Sequence, residues 1–205
     1  MSFIKICGLS SKDAVEVCVS YDADALGFVF SESPRQVSID MANKLVESVP
    51  INMLKIAVFL NLNETNVQDV LREFRPDWVQ ANFENSANVR LPSDIIFLPV
   101  YRNTGPRSSQ EKKHAALLYE GASSGVGELS NWKRAKQLSK KNNLILAGGL
   151  NHLNVQEAIK QVKPWGVDVS SGVEIKKGIK DIAKIKSFII NARLAFKESR
   201  NNDNI

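Results

Sequence analysis

Cysteine is scarce in this chain of 205 residues, with only Cys7 and Cys18 present. Two thiols are too few for a disulfide framework. A bond between them also clashes with a strand-then-helix reading of residues 3–20, so both are expected as reduced thiols in a cytoplasmic protein. Long apolar runs are missing too. Nothing approaches the roughly 18 apolar residues of a membrane span, and Lys5 interrupts the first apolar run, so no secretion signal is expected. Aromatic residues make up 7% and form no stripe interleaved with basic residues. The formal charge of +5 and the pI near 9.2 therefore do not amount to a nucleic-acid footprint. Lys133, Arg134, Lys136, Lys140 and Lys141 fall at the spacings of a solvated helix face. The surplus suits steering of an anionic small substrate instead. A Gly-rich dinucleotide turn is also absent, since the first strand runs into Cys7-Gly8-Leu9-Ser10.

What is present is an alternation. Short apolar runs occur at residues 4–7, 25–30, 55–60, 78–81, 95–100, 115–119, 143–147 and 166–169. Amphipathic stretches at 11–20, 38–49, 63–74, 131–140, 154–162 and 181–196 read as helices, with Ser11 a candidate N-cap and Asn63 or Thr65 near the start of the third. Continuously apolar strands separated by helices indicate a parallel sheet covered by helices. Eight units of about 25 residues indicate a closed (β/α)8 TIM barrel rather than an open doubly wound sheet. The expected domain is 1–196, with no internal linker. The polar, Asn-rich residues 197–205 are expected as a disordered tail.

In such a barrel the chemistry collects where strands end. Those ends supply Cys7, Arg35, Asn61, Gln80, Arg102, Glu120, Gly148-Gly149, and Asp168 with Ser170-Ser171-Gly172. An isolated cysteine is by default a packing residue, but Cys7 ends the first strand beside a glycine. Gly148, Gly149, Ser170, Ser171 and Gly172 form a candidate anion cradle after the last two strands, where barrels often hold a phosphate. The plain alternative is that they only turn the chain and cap a helix. The loop holding Gly125 and Gly127 is either a second phosphate contact or a simple connection.

The stretches KICG (5–8), DALGFVF (24–30), SPR (33–35), VFLN (58–61), SGVG (124–127), AGGLNHLNV (147–155) and GVDVSSGVE (166–174), followed by Gly178 and Lys180-Asp181, resemble phosphoribosylanthranilate isomerase. That family belongs to the ribulose-phosphate-binding barrels. The resemblance implies an Amadori rearrangement of N-(5'-phosphoribosyl)anthranilate to 1-(2-carboxyphenylamino)-1-deoxyribulose 5-phosphate in tryptophan biosynthesis. It implies no cofactor and no metal. An acid protonates the ribose ring oxygen and opens it to a Schiff base; a cysteine thiolate then removes the C2' proton, and the enolamine tautomerises to the ketone. Cys7 falls on the base, Arg35 on the residue that meets the anthranilate carboxylate, and Asp168 on a substrate-placing aspartate. Lys5 is a residue type that helps form a thiolate.

The chain departs from the family in three places. The acid is usually an aspartate on the sixth strand; counting back from Trp132 puts Glu120 there, and a one-residue shift puts Tyr119 there instead. Asn131 replaces an aspartate and is expected to cap the next helix. Gln80-Ala81-Asn82-Phe83 replaces Gln-Leu-His-Gly, which suggests a reshaped wall near the anthranilate ring. The expected partner is a small phosphoribosyl substrate, with no nucleic acid or membrane, for a monomer or homodimer. The competing functions are a barrel that binds a phosphosugar without catalysis, and an isomerase for a related aminoaldose phosphate.

Overall fold

A computed structural model describes residues 2–85, 91–102, 114–121 and 130–202. Eight parallel strands close into a barrel in chain order. They are β1 (Phe3–Cys7), β2 (Ala25–Val29), β3 (Leu54–Val58), β4 (Trp78–Asn82), β5 (Ile96–Arg102), β6 (Leu117–Glu120), β7 (Leu144–Leu146) and β8 (Gly166–Val169). The pairing of Lys5 with Asp168 and of Ile6 with Val169 seals β1 against β8. Helices α1 (Lys12–Ser20), α2 (Ile39–Val46) and α3 (Val67–Glu73) follow the first three strands, and α4 (Trp132–Ser139), α5 (Val155–Val162) and α6 (Ile182–Asn202) follow the last three. Among the described residues β4 is followed by a single 3-10 turn, Phe83–Asn85. A short antiparallel hairpin, β9 (Glu174–Lys176) and β10 (Ile179–Lys180), precedes α6.

Strand alternation divides the apolar residues between two cores. Phe3, Ala25, Ile56, Trp78, Leu98, Leu118 and Ile145 fill the barrel. Ile4, Ile6, Leu26, Phe28, Val79, Tyr119, Leu146 and Val167 pack outward under the helices. The barrel floor is aromatic: Phe3 stacks on Trp78 and Trp165 at centroid distances of 5.6 and 4.8 Å.

Three helix boundaries differ by three residues or more from the sequence expectation, the first being the end of α2, which stops at Val46 rather than residue 49. Helix α3 begins later, because Asn61 to Asn66 are tied into a turn: Glu64 Oε1 accepts from Ser31 Oγ and Asn61 N, and Asn61 Oδ1 accepts from Asn63 N. Helix α6 runs to Asn202, which corrects the expected tail for residues 197–202; residues 203–205 lie outside the described residues. Its apolar face (Ile185, Phe188, Ile189, Ala192, Phe196) keeps the helical period, and Glu198 pairs with Lys160 of α5 at 3.3 Å. At the caps, Ser38 and Asn131 accept from Met41 N and Arg134 N, whereas Ser11 occupies its N-cap position without a side-chain cap bond. The helix cap expected of Asn131 is therefore present.

Arg193 of α6 ties the start of the chain to the closed sheet. Its guanidinium donates to Ser2 O, to Asp22 O and to Asp24 Oδ2, while Asp24 Oδ2 also accepts from Ile4 N. Arg193→Ala is expected to cost about 2 kcal/mol, the scale of hydrogen bonds to a charged group. Urea unfolding measures it, and hydrogen exchange is expected to rise first in β1.

Candidate active site

Inward side chains of a closed barrel stack in layers contributed by alternate strands. Carrying the observed register around the sheet, one residue up per strand, puts Gly27, Gln80, Leu118 and Asp168 in one layer. Cys7, Val58, Val100 and Ala147 lie above it. Val29, Asn82, Glu120 and Ser170 form the lip of the mouth.

Beneath the mouth is a buried charge cluster. Lys5 is fully buried, and its Nζ lies 2.8 Å from Asp168 Oδ1. Space for this ammonium exists because β2 carries Gly27 there. A Cβ at Gly27 would sit 3.0 Å from Cys7 Sγ and 3.1 Å from Lys5 Nζ, so thiol and ammonium flank one small gap. Burial pulls the Lys5 ammonium down, but the charge and hydrogen bond of Asp168, with a further contribution from Cys7 once it is ionised, outweigh it and hold its pKa above the ordinary value. Burial pushes the Cys7 thiol up, Lys5 pulls it down and Asp168 pushes it up, so the resting group is a thiol. Lys5 is thus the cation beside Cys7 that favours the thiolate against the effect of burial. Cys18 faces the outer core instead, where burial pushes it up to about 12, and it plays no part here.

On β6 the alternation turns the two candidate acids in opposite directions. Leu118 belongs to the inner core and Tyr119 to the outer one, so Glu120 faces inward. Burial also pushes the Tyr119 phenol up, which weakens it further as an acid. Glu120 is buried, and its Oε1 accepts from Arg102 Nε at 2.9 Å across the β5–β6 register. Asn82 occupies the lip, whereas the Phe83 ring stacks on Tyr101 on the outer side at 4.7 Å. Of the altered β4 residues, then, Asn82 rather than Phe83 borders the mouth.

Arg35 is held in a fork–fork pair, Nε to Glu174 Oε1 at 2.7 Å and Nη2 to Oε2 at 2.9 Å. Lys180 Nζ joins Glu174 Oε1 at 3.0 Å and Ser170 O at 2.9 Å. This arrangement connects the arginine to the loop after β8. Gly8, with φ +74°, lies under the Arg35 stem, where a Cβ would be 2.6 Å from Cδ. Gly148 and Gly149 both have positive φ, 82° and 68°. Asn154 Nδ2 holds the second through its carbonyl at 2.9 Å. The stretch Ser171–Val173 is one 3-10 turn. Gly172 sits on the β7 loop so closely that a Cβ would meet Leu150 O at 1.9 Å. The two cradle loops are thereby packed together, while Gly125 and Gly127 lie outside the described residues.

The family model for N-(5'-phosphoribosyl)anthranilate (PRA) isomerase matches residues 4–191. An N-(5'-phosphoribosyl)anthranilate isomerase from Listeria monocytogenes serotype 4b is 39% identical over 203 residues, covering 93% of this chain and 98% of that one. The chain belongs to the N-(5'-phosphoribosyl)anthranilate isomerase family. Among solved structures, a phosphoribosylanthranilate isomerase in complex with reduced 1-(o-carboxyphenylamino)-1-deoxyribulose 5-phosphate has a TM-score of 0.75 at 27% identity. The match covers 94% of this chain and 99% of that chain. Monomers generated from the dimeric isomerase of Thermotoga maritima match with a TM-score of 0.74 at 27% identity, with the same coverage.

Within this isomerase, sequence reasoning gave no role to Glu174, Lys180, Arg102 and Gln80. Glu174 closes the GVDVSSGVE stretch and Lys180 lies six residues on; nothing in their spacing announces that both turn back onto Arg35. Burial pushes the Glu174 carboxyl up, but the Arg35 hydrogen bonds and the Lys180 charge outweigh it and hold it below the usual carboxylate value of 4.5. A depressed folded pKa contributes stability that is complete above that ordinary value and is lost as pH falls through the lower folded one. The acid limb of stability below about pH 4.5 is therefore expected to flatten in Glu174→Gln, as read from urea midpoints across that range.

Proposed function

We propose that Cys7 and Glu120 are the base and the acid with which this isomerase of tryptophan biosynthesis rearranges N-(5'-phosphoribosyl)anthranilate to 1-(2-carboxyphenylamino)-1-deoxyribulose 5-phosphate. The observation that carries the reading is their placement. Both face inward, at adjacent levels of the mouth, from strands three apart around the barrel. A sugar held between them meets an acid at its ring oxygen and a base at its second carbon.

Glu120 gives its proton to the ring oxygen as the C1'–O bond breaks, and the anthranilate nitrogen lone pair forms the C1'=N bond. The carboxylate left behind is held by Arg102. The fraction of Cys7 that has released its thiol proton to solvent then takes the C2' proton as thiolate, and that electron pair forms the C1'=C2' bond of the enolamine while the iminium nitrogen becomes neutral. Loss of the enol O–H proton and protonation at C1' give the ketone. The thiolate is stabilised by the adjacent Lys5 ammonium, which Asp168 holds in place. Asp168 therefore acts on the substrate's site chiefly through Lys5.

Arg35 binds the anthranilate carboxylate, a planar group suited to a guanidinium fork. Phosphate binding falls to Gly148, Gly149, Ser170, Ser171 and Gly172, with Gly125 and Gly127 as a second contact. Among the described residues no helix is long and apolar enough to cross a membrane. Two free cysteines accord with a cytoplasmic enzyme, and the dimeric isomerase of Thermotoga maritima among its structural relatives supports a monomer or homodimer.

Cys7→Ala and Glu120→Gln are each expected to lower kcat on the order of a thousandfold, followed as loss of the substrate's anthranilate fluorescence. Affinity for the reduced product analogue should stay nearly unchanged. Near-normal turnover in Glu120→Gln would remove it as the acid, and tight binding without turnover in the unaltered protein would mark a non-catalytic barrel.

A further inference from the structure

Gln80 stands out among the inward residues. It is 8% exposed, and its Oε1 is buried with no hydrogen-bond partner in the protein. Other buried side-chain atoms in this condition lie elsewhere among the described residues: Tyr119 on the outer face of β6, Ser130 and His152 in loops, Asn66 and Trp132 at helix starts. Gln80 alone of these sits on the inner face of a barrel strand. A buried acceptor that no protein group satisfies contributes nothing to folding and costs up to about 1–3 kcal/mol, so an apolar side chain of the same length is not expected to destabilise the fold here.

The placement of Gln80 says what would relieve that penalty. It shares a layer with Gly27, and the gap beside Gly27 is the one flanked by Cys7 Sγ and Lys5 Nζ. The layer directly above contains Cys7. Asp168, the other polar member of the layer, is already joined to Lys5. A substrate whose second carbon reaches Cys7 therefore brings the hydroxyl on that carbon to the level of the Gln80 carboxamide. Cys7 as base is part of this argument, which to that extent rests on the function proposed above.

We infer that Gln80 is a substrate-binding residue whose carboxamide oxygen accepts a hydrogen bond from the sugar-chain hydroxyl on the carbon that Cys7 deprotonates. The group has no hydrogen-bond partner within the protein and gains one in the complex. It orients that hydroxyl without exchanging a proton.

A substrate-binding role and a packing role predict opposite stabilities. Gln80→Met keeps the length of the side chain and removes the acceptor. The free variant should melt no lower than the unaltered protein, its kcat/KM should fall about tenfold, and the rise in Tm caused by the reduced product analogue should shrink. A lower Tm of the free variant, or unchanged kcat/KM, would overturn the inference. Gln80→Leu, read the same way, serves if the methionine variant does not fold. Repeating the analogue measurement with Cys7→Ser as the background separates the two readings. Full turnover by Cys7→Ser would sink Cys7 as base, whereas an undiminished Tm rise on adding Gln80→Met to it would sink Gln80 as the contact.

Discussion

The buried ion pair between Lys5 and Asp168 is the interaction on which this barrel and its chemistry both rest. Its partners are direct register neighbours on the first and last strands, so the pair lies across the seam where the sheet closes. A fully buried ammonium is costly unless a carboxylate and good hydrogen bonds compensate. The compensation here also places a fixed positive charge beside Cys7. Closure of the fold and the positive charge beside Cys7 are thus two consequences of one contact, and removing either partner would leave an uncompensated charge in the barrel.

A second constraint is the absence of side chains at specific points. Gly27 leaves room for the thiol and ammonium, Gly8 lets the Arg35 stem cross above it, and Gly172 lets the loop after β8 rest on Leu150. Around these close approaches the polar groups are shared between strands and loops. Glu174 clamps Arg35, and Lys180 links Glu174 to Ser170. The arginine suited to a carboxylate and the loop suited to a phosphate therefore belong to one connected network, and the lip residue Glu120 has its own arginine on the neighbouring strand.

Much of this was legible in the sequence because barrel strands write their period plainly. All eight strands and the inward address of Cys7 follow from apolar runs and parity, whereas counting back from Trp132 left Glu120 and Tyr119 both open until the strand was seen to turn Tyr119 outward. Helix α3 was placed too early because the Asn61–Asn66 segment spends its polar groups on a turn, which composition does not separate from a helix start. The end of α6 was missed because polar residues read as a tail, although Phe196 is buried and Glu198 pairs with α5. The partners of Arg35 were not legible, since they depend on how a hairpin folds back across the mouth. Gln80 was visible only as a strand end; its unsatisfied carboxamide is a property of the packed barrel.

The most direct test of the account is the ultraviolet thiolate absorbance of Cys7 as a function of pH, measured with Cys18→Ser so that one thiol reports. The midpoint should lie above the ordinary thiol value of 9.0. Adding Lys5→Met should move it higher still, because the cation that favours the thiolate is gone while burial and Asp168 remain. A midpoint that stays in place or falls in Lys5→Met would contradict the claim that Lys5 makes Cys7 a base.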